Sequence, residues 1–243
     1  MAFCLFGANV FCHIPDQISL IKTIDKLLSN KGNIVIEVQY LLNTLQDLTF
    51  DNIYHEHYNY WSLTSLVNFF KQFQVKLFKV EKIDTHGGSI RIFISKNKNI
   101  KIEKSIKELL DEEEKFGIKQ FQTYKNFGKK VYKIRDNVIK NLKKLKIKNE
   151  SIVGYGAPAK ATTALNFFGI SKEIDYIVED NKLKHRKFVP GVKIPIFSKQ
   201  KISKRQPLVL VLAWNFYKEI KKDNSKIAKQ FVNIKSLETE EFV

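Results

Sequence analysis

The sequence predicts an α/β protein: a Rossmann-like sheet that begins in mid-fold, a helical linker, and a second, smaller Rossmann-like α/β domain. Three observations predict it. Short β-branched runs alternate with stretches of helical spacing at both ends of the chain. Between them, residues 101–146 are charged, helical in pattern and free of proline. With 44% hydrophobic and 12% aromatic residues, the 243-residue chain has enough apolar material for one large or two small cores.

The elements follow in order. Residues 2–8 form a short apolar run, ending in Gly7-Ala8-Asn9, that reads as a buried strand. Ile18, Ile21, Ile24, Leu27 and Leu28 then recur at helical spacing over 16–29, and Asn30-Lys31-Gly32 stops that helix. Residues 33–39 (NIVIEVQ) are the next buried strand, so strand, helix and strand make a parallel βαβ unit. After a polar insertion over 44–60 comes a helix from Leu63 to Phe73. The runs VKLFKVEKI and SIRIFIS flank Asp84-Thr85-His86-Gly87-Gly88 as an antiparallel hairpin. The last lobe restarts the alternation with SIVGYG, a helix from Pro158, the strand IDYIVED, PLVLVLAW and a final helix. The domain boundaries read from this order are 1–100, 101–148 and 149–243. Two parallel strands plus a hairpin leave an exposed edge in the first sheet.

Composition narrows the function. The formal charge of +17 would attract anions, nucleotide diphosphates among them. Lysine is scattered, however, and arginine sparse, whereas nucleic-acid surfaces concentrate both in a stripe with interleaved aromatics. The densest run, Lys140 to Lys148, carries leucines at helical spacing and reads as a solvated amphipathic helix; nucleic acid is not expected as a partner. No apolar run reaches the roughly 20 residues of a membrane span. The opening MAFCLFGANVFCHIPD lacks a basic region ahead of its apolar segment and is not a signal peptide. Cys4 and Cys12 show no CxxC spacing and read as reduced thiols of a cytoplasmic protein.

Four stretches could carry chemistry. Asp51-Asn52-Ile53-Tyr54-His55-Glu56-His57-Tyr58 packs two histidines, a glutamate and two tyrosines together after a parallel strand, where α/β sheets place ligands. Histidine titrates near neutrality, a carboxylate can orient it, and a tyrosine can stabilise an oxyanion. The same stretch also reads as a polar loop, or through His-x-His as a metal site, although no HExxH or cysteine partner accompanies it; no metal is expected. His13 follows the first strand and reads either as a structural histidine or as a member of the same crevice. Gly87-Gly88 beside Ser89 and Arg91 reads as a close backbone approach with a phosphate partner, or as a hairpin turn needing positive φ. Gly154-Tyr155-Gly156-Ala157-Pro158-Ala159-Lys160 has the G-x-G-x-x-A form, with Glu179 and Asp180 ending the next strand; it is either a ligand loop or a structural tight turn.

Taken together these stretches resemble the sugar C-methyltransferases. The matching residues are Gly7 to Asp16, Phe50 to His57, His86 to Arg91, Gly154 to Lys160, Val189 to Ile196 and Ala213 to Phe216, in family order along nearly the whole chain. The resemblance implies that 1–100 is the C-terminal part of a class I methyltransferase domain. It also implies S-adenosylmethionine-dependent C-methylation of a nucleotide-linked keto-deoxysugar through an enolate. His57 would be the base, with Glu56, Tyr54 and His13 positioning the sugar or stabilising the enolate, and Asn9 near adenosylmethionine. His86, Gly87, Ser89, Arg91, Gly156 and Lys160 would serve the nucleotide-sugar. The family's N-terminal cysteine cluster and its first methyltransferase strands have no counterpart in this sequence. Its zinc is therefore expected to be absent and the cofactor site incomplete, unless a separate N-terminal chain or a homodimer completes it. The competing expectation is a non-catalytic nucleotide-sugar-binding module.

Overall fold

A computed structural model describes residues 1–85, 87–149, 151–202 and 206–240. The chain forms two compact units, Met1–Phe50 with His55–Gly128 and Asp51–Tyr54 with Lys129–Val243. The division falls inside one long helix, α5 (Phe121–Lys148).

In the first unit, β1 (Ala2–Ala8), α1 (Gln17–Leu27) and β2 (Leu28–Gln39) make the expected parallel βαβ unit, with Leu5 opposite Ile34 and Gly7 opposite Ile36. Asp16 starts α1 by accepting the amide of Ser19 at 2.9 Å, an N-cap that replaces one missing intrahelical partner. After the short helix α2 (Leu41–Gln46), α3 (Leu63–Phe70) opens on a reciprocal Ser62–Ser65 capping box. The hairpin β3 (Lys76–Ile83) and β4 (Ser89–Ser95) then pairs antiparallel with β2, giving the order β1-β2-β4-β3. Period-two alternation places Ile34, Ile36 and Val38 of β2 and Ile90, Ile92 and Ile94 of β4 on one buried face. Leu63, Leu66 and Phe70 of α3 cover it, with Ile106 and Leu109 of α4 (Lys104–Phe116). Each such side chain stabilises the unit by about 1.5–3 kcal/mol relative to exposure.

Strand β1 corrects one expectation. Its apolar run reads as buried, yet Phe3 is 79% and Phe6 61% exposed, because β1 pairs with β2 alone and forms the edge of the sheet. The exposed edge itself was expected from the strand count.

The second unit holds a five-stranded, wholly parallel sheet in the order β7-β6-β5-β8-β9. Its strands are β5 (Ile152–Tyr155), β6 (Tyr176–Val178), β7 (Ile196–Phe197), β8 (Leu208–Val211) and β9 (Gln230–Asn233). Every residue of β5 and β8 is buried, as a sheet covered on both faces requires. Helix α6 (Ala159–Phe168) follows β5, with Pro158 as its N-cap, so the helix begins one residue later than the expected start at Pro158. Helix α7 (Tyr217–Asp223) precedes the last strand. Val131, Ile134, Val138, Leu142 and Leu145 form the buried stripe of α5, while Lys140, Lys143, Lys144 and Lys148 stay exposed. That is the solvated amphipathic helix expected of the lysine run. No helix among the described residues is long and apolar enough to cross a membrane.

Candidate functional site

In the first unit the polar groups gather at the C-terminal ends of β1 and β2. Leaving β1, the chain turns at Asn9, whose φ of 52° is left-handed and suits asparagine better than most residues. A single 3-10 turn, Phe11–His13, follows. Phe11 anchors that turn by stacking on Trp61, with centroids 5.5 Å apart, and the buried Gln17 amide donates to the Phe11 carbonyl at 2.9 Å. Across from it, the Tyr58 amide donates to the Cys12 carbonyl at 2.9 Å, which ties the turn to the histidine-rich loop.

This arrangement brings His13 and His57 together, with ring centroids 4.9 Å apart. His13 Nδ1 lies 2.9 Å from the Glu56 carbonyl oxygen. A carbonyl can only accept, so Nδ1 carries the hydrogen, and in the neutral ring Nε2 then presents its lone pair. Tyr60 packs edge-on against His57 at 5.9 Å. Glu56 thus acts on the site through its main chain, and its side chain is exposed. His55 is exposed too. Cys12, beside His13, is buried, and burial pushes its thiol above the usual range. Tyr54 falls in the segment that belongs to the second unit, and His86 lies outside the described residues.

The sheet register explains Asn9 and Arg91. Ala8, Glu37, Arg91 and Glu81 lie side by side across β1, β2, β4 and β3. The buried Glu37 carboxylate therefore meets Arg91 Nη2 at 2.9 Å, and Arg91 Nη1 also lies 3.7 Å from Glu81. Glu37 further accepts from Thr85 Oγ1 at 3.3 Å and Asn9 Nδ2 at 3.5 Å. Two carboxylates flank the guanidinium, so its charge is matched within the sheet. Its evident work is to hold Glu37, and through Glu37 the Asn9 turn. Gly87 and Gly88, at φ 86° and 100°, close the hairpin, and the Gly88 carbonyl accepts from Tyr40 at 3.1 Å. Ser89 is buried and donates to the Thr85 carbonyl at 3.2 Å.

The floor of this region rests on a residue the sequence pattern concealed. Glu113 of α4 is fully buried and accepts from Tyr40 Oη at 2.9 Å, the Leu63 amide at 2.5 Å and the Thr64 amide at 2.8 Å. A carboxylate from α4 thereby satisfies the N-terminus of α3, just after the histidine-rich loop ends. Burial, with Glu113 adding to it, holds the Tyr40 hydroxyl far above its ordinary pKa.

The second unit carries two further groups. Gly156, at φ 88°, follows β5, and a Cβ there would meet the Ala213 side chain at 2.7 Å. The loop's amides are taken internally: Ala157 donates to Glu179 Oε2 at 2.7 Å, and Gly156 to the Val178 carbonyl at 2.8 Å. Beside it opens a cavity of about 430 Å³, lined by Tyr155, Glu179, Asp180, Lys184, Glu219 and Asp223 among others. Four of those are acids, an environment that repels a diphosphate. Elsewhere in the unit the Trp214 indole donates to Asp51 at 2.8 Å. Lys160 Nζ lies 5.5 Å from the Trp214 ring centroid, buried and with no hydrogen-bond partner among the described residues. Burial lowers its pKa; Asp51 opposes that shift and Lys235 adds to it.

Comparison with known proteins places this chain. The family described as "C-methyltransferase C-terminal domain" matches residues 84–234, and "Methyltransferase domain" matches 7–80. The chain belongs to the sugar C-methyltransferase family. It is similar to C-methyltransferase NovU of Streptomyces niveus, at 33% identity over 229 residues covering 93% of this chain. It spans 54% of that relative's length. The family matches take in both the paired histidines of the first unit and the G-x-G-x-x-A loop of the second.

Proposed function

We propose that this chain carries the proton-abstracting machinery of an S-adenosylmethionine-dependent methyltransferase that acts on carbon in a nucleotide-linked keto-deoxysugar. The observation that carries the reading is the pair His13 and His57, 4.9 Å apart at the end of a parallel βαβ unit. In this reading His57 takes the proton from the carbon beside the sugar ketone. His13, its tautomer set by the Glu56 carbonyl, holds the sugar or the enolate oxygen. S-adenosylmethionine supplies the electrophilic methyl group that the enolate carbon receives.

The fit to that cofactor is partial. Asn9, turned out of β1 and braced by Glu37, is the candidate to face it. The outer side of β1 has no neighbour among the described strands and exposes Phe3 and Phe6. Both facts support completion of the cofactor site by strands beyond the described ones. Within the second unit by itself, Lys160 is the candidate partner for a phosphate anion, since its buried ammonium has no hydrogen-bond partner among the described residues. Gly87, Ser89 and Gly156 shape backbone, and Arg91 braces Glu37, so these support the substrate site indirectly. A cytoplasmic location belongs to the same proposal.

Calorimetric titration of the chain with a nucleoside-diphosphate keto-deoxyhexose, and separately with S-adenosylmethionine, tests the reading. Binding of the nucleotide-sugar with weak or no cofactor binding is expected. Nucleotide-sugar binding without any proton abstraction would favour a non-catalytic binding module. Failure to bind the nucleotide-sugar contradicts the reading.

A further inference from the structure

The 3-10 turn and the histidine-rich loop bring together three groups that ligate metals. The ligating atoms of Cys12, His13 and His57 all lie within 4.8 Å of one another. Tetrahedral zinc at its usual bond lengths separates sulfur and nitrogen donors by about 3.3–3.6 Å. A contraction on the order of 1 Å, within the reach of side-chain rotation, therefore closes the set.

Nearness is not the only feature of a ligand set here. His13 Nδ1–H donates to the Glu56 carbonyl at 2.9 Å, which leaves Nε2 as the free donor atom and fixes the plane of the ring. A histidine ligand held by a backbone carbonyl on its far nitrogen is the usual outer support of a metal site. The main chain of Cys12 is fixed as well, since its carbonyl accepts the Tyr58 amide and its neighbour Phe11 is packed on Trp61. The ligands thus come from a turn and a loop that are already joined, and little ordering remains for an ion to impose. One thiolate and two imidazoles suit a borderline-soft ion and not magnesium or calcium, whose ligands are oxygens.

We propose that Cys12, His13 and His57 form a binding site for a borderline-soft divalent cation of the zinc type, with a fourth coordination position left open. The site needs nothing from the methyltransferase reading. One consequence does rest on that reading: an ion held by His57 and proton transfer to His57 would compete for the same imidazole.

The test is titration of the full chain with Co²⁺, followed by displacement with Zn²⁺. One cobalt per chain is expected, with a near-ultraviolet thiolate-to-cobalt charge-transfer band that zinc abolishes. The band should vanish in Cys12→Ser and persist in Cys4→Ser, which alters the chain's other, exposed thiol. Cobalt affinity should fall at least about tenfold in His13→Ala and in His57→Ala. Absence of the band, or its survival in Cys12→Ser, overturns the proposal. Should Cys12→Ser fail to fold, the two histidine variants decide, and unchanged affinity in both overturns it. A chain that binds no cobalt but still abstracts the sugar proton would refute the metal site and leave the enzymatic reading standing.

Discussion

The loops that follow β1 and β5 occupy equivalent places, each after the first strand of a parallel βαβ unit, yet they are built in opposite ways. The β1 loop has no glycine beyond Gly7. It turns at an asparagine, and a neighbouring loop brings His57 beside its own His13, with the His13 Nε2 lone pair set by the Glu56 carbonyl. The β5 loop has the glycines of a phosphate cradle but spends its amides on its own chain, the Ala157 amide on Glu179. A glycine-rich strand-to-helix turn supplies donors to a ligand only when no internal acid takes them first. Polar side chains of this chain therefore converge at the β1 loop, while the stronger glycine pattern of the β5 loop closes on itself.

Breaking the support under the first loop should have the largest effect. Glu113→Ala leaves the Tyr40 hydroxyl and the Leu63 and Thr64 amides without their buried acceptor, and is expected to cost at least about 3 kcal/mol in urea unfolding. A loss below about 1 kcal/mol would mean that α3 is held by its Ser62 cap alone.

The second prediction sharpens the contrast between the loops. Glu179→Ala removes the acceptor that holds the Ala157 amide and lessens the acidity of the neighbouring cavity. Pyrophosphate binding at this loop is expected to be weaker in the unaltered chain than in the variant by calorimetry; no gain would show that the remaining acids suffice to exclude it.

The smallest effect concerns Lys160. Its folded-state pKa is lowered by burial, so below that pKa the charged form costs stability in full. As pH climbs through the folded pKa toward the unfolded value of about 10.4, that cost is relieved and stability rises. Lys160→Met should be more stable than the parent near neutrality, with the difference shrinking in thermal melts as the pH is raised through this window. A constant difference would mean that the ammonium finds a partner on a bound anion or water.

Much of the fold was legible because its signals are local. Alternating isoleucines in β2 and β4, the glycine pair between β3 and β4, and the leucine stripe of α5 each declare their element within a few residues. Strand β9 was not, since Gln230–Asn233 is four residues long and follows α7 closely, so it merges with a helical tail. Nor was the division within α5, which depends on contacts far apart in sequence. In the candidate site, the meeting of His13 with the histidine-rich loop could be expected from their places after parallel strands. The carboxylate row Glu37–Arg91–Glu81 required the strand register, though a lone charge inside NIVIEVQ was the available clue. Glu113 sits among Glu112 and Glu114, and only its phase, one turn after the buried Leu109, marks it as different. The closeness of Cys12 to both histidines depends on side-chain directions in one 3-10 turn, which sequence spacing does not encode.

The most direct test of the central claim needs no methyl donor. Incubating the chain with a nucleotide-linked keto-deoxysugar in D₂O, and following deuterium at the carbon beside the ketone by NMR, reads proton abstraction alone. The account predicts exchange well above the solvent rate that falls by about 10²-fold or more in His57→Ala, the scale of one general base. Exchange unchanged in His57→Ala, or absent although the sugar binds, would contradict it.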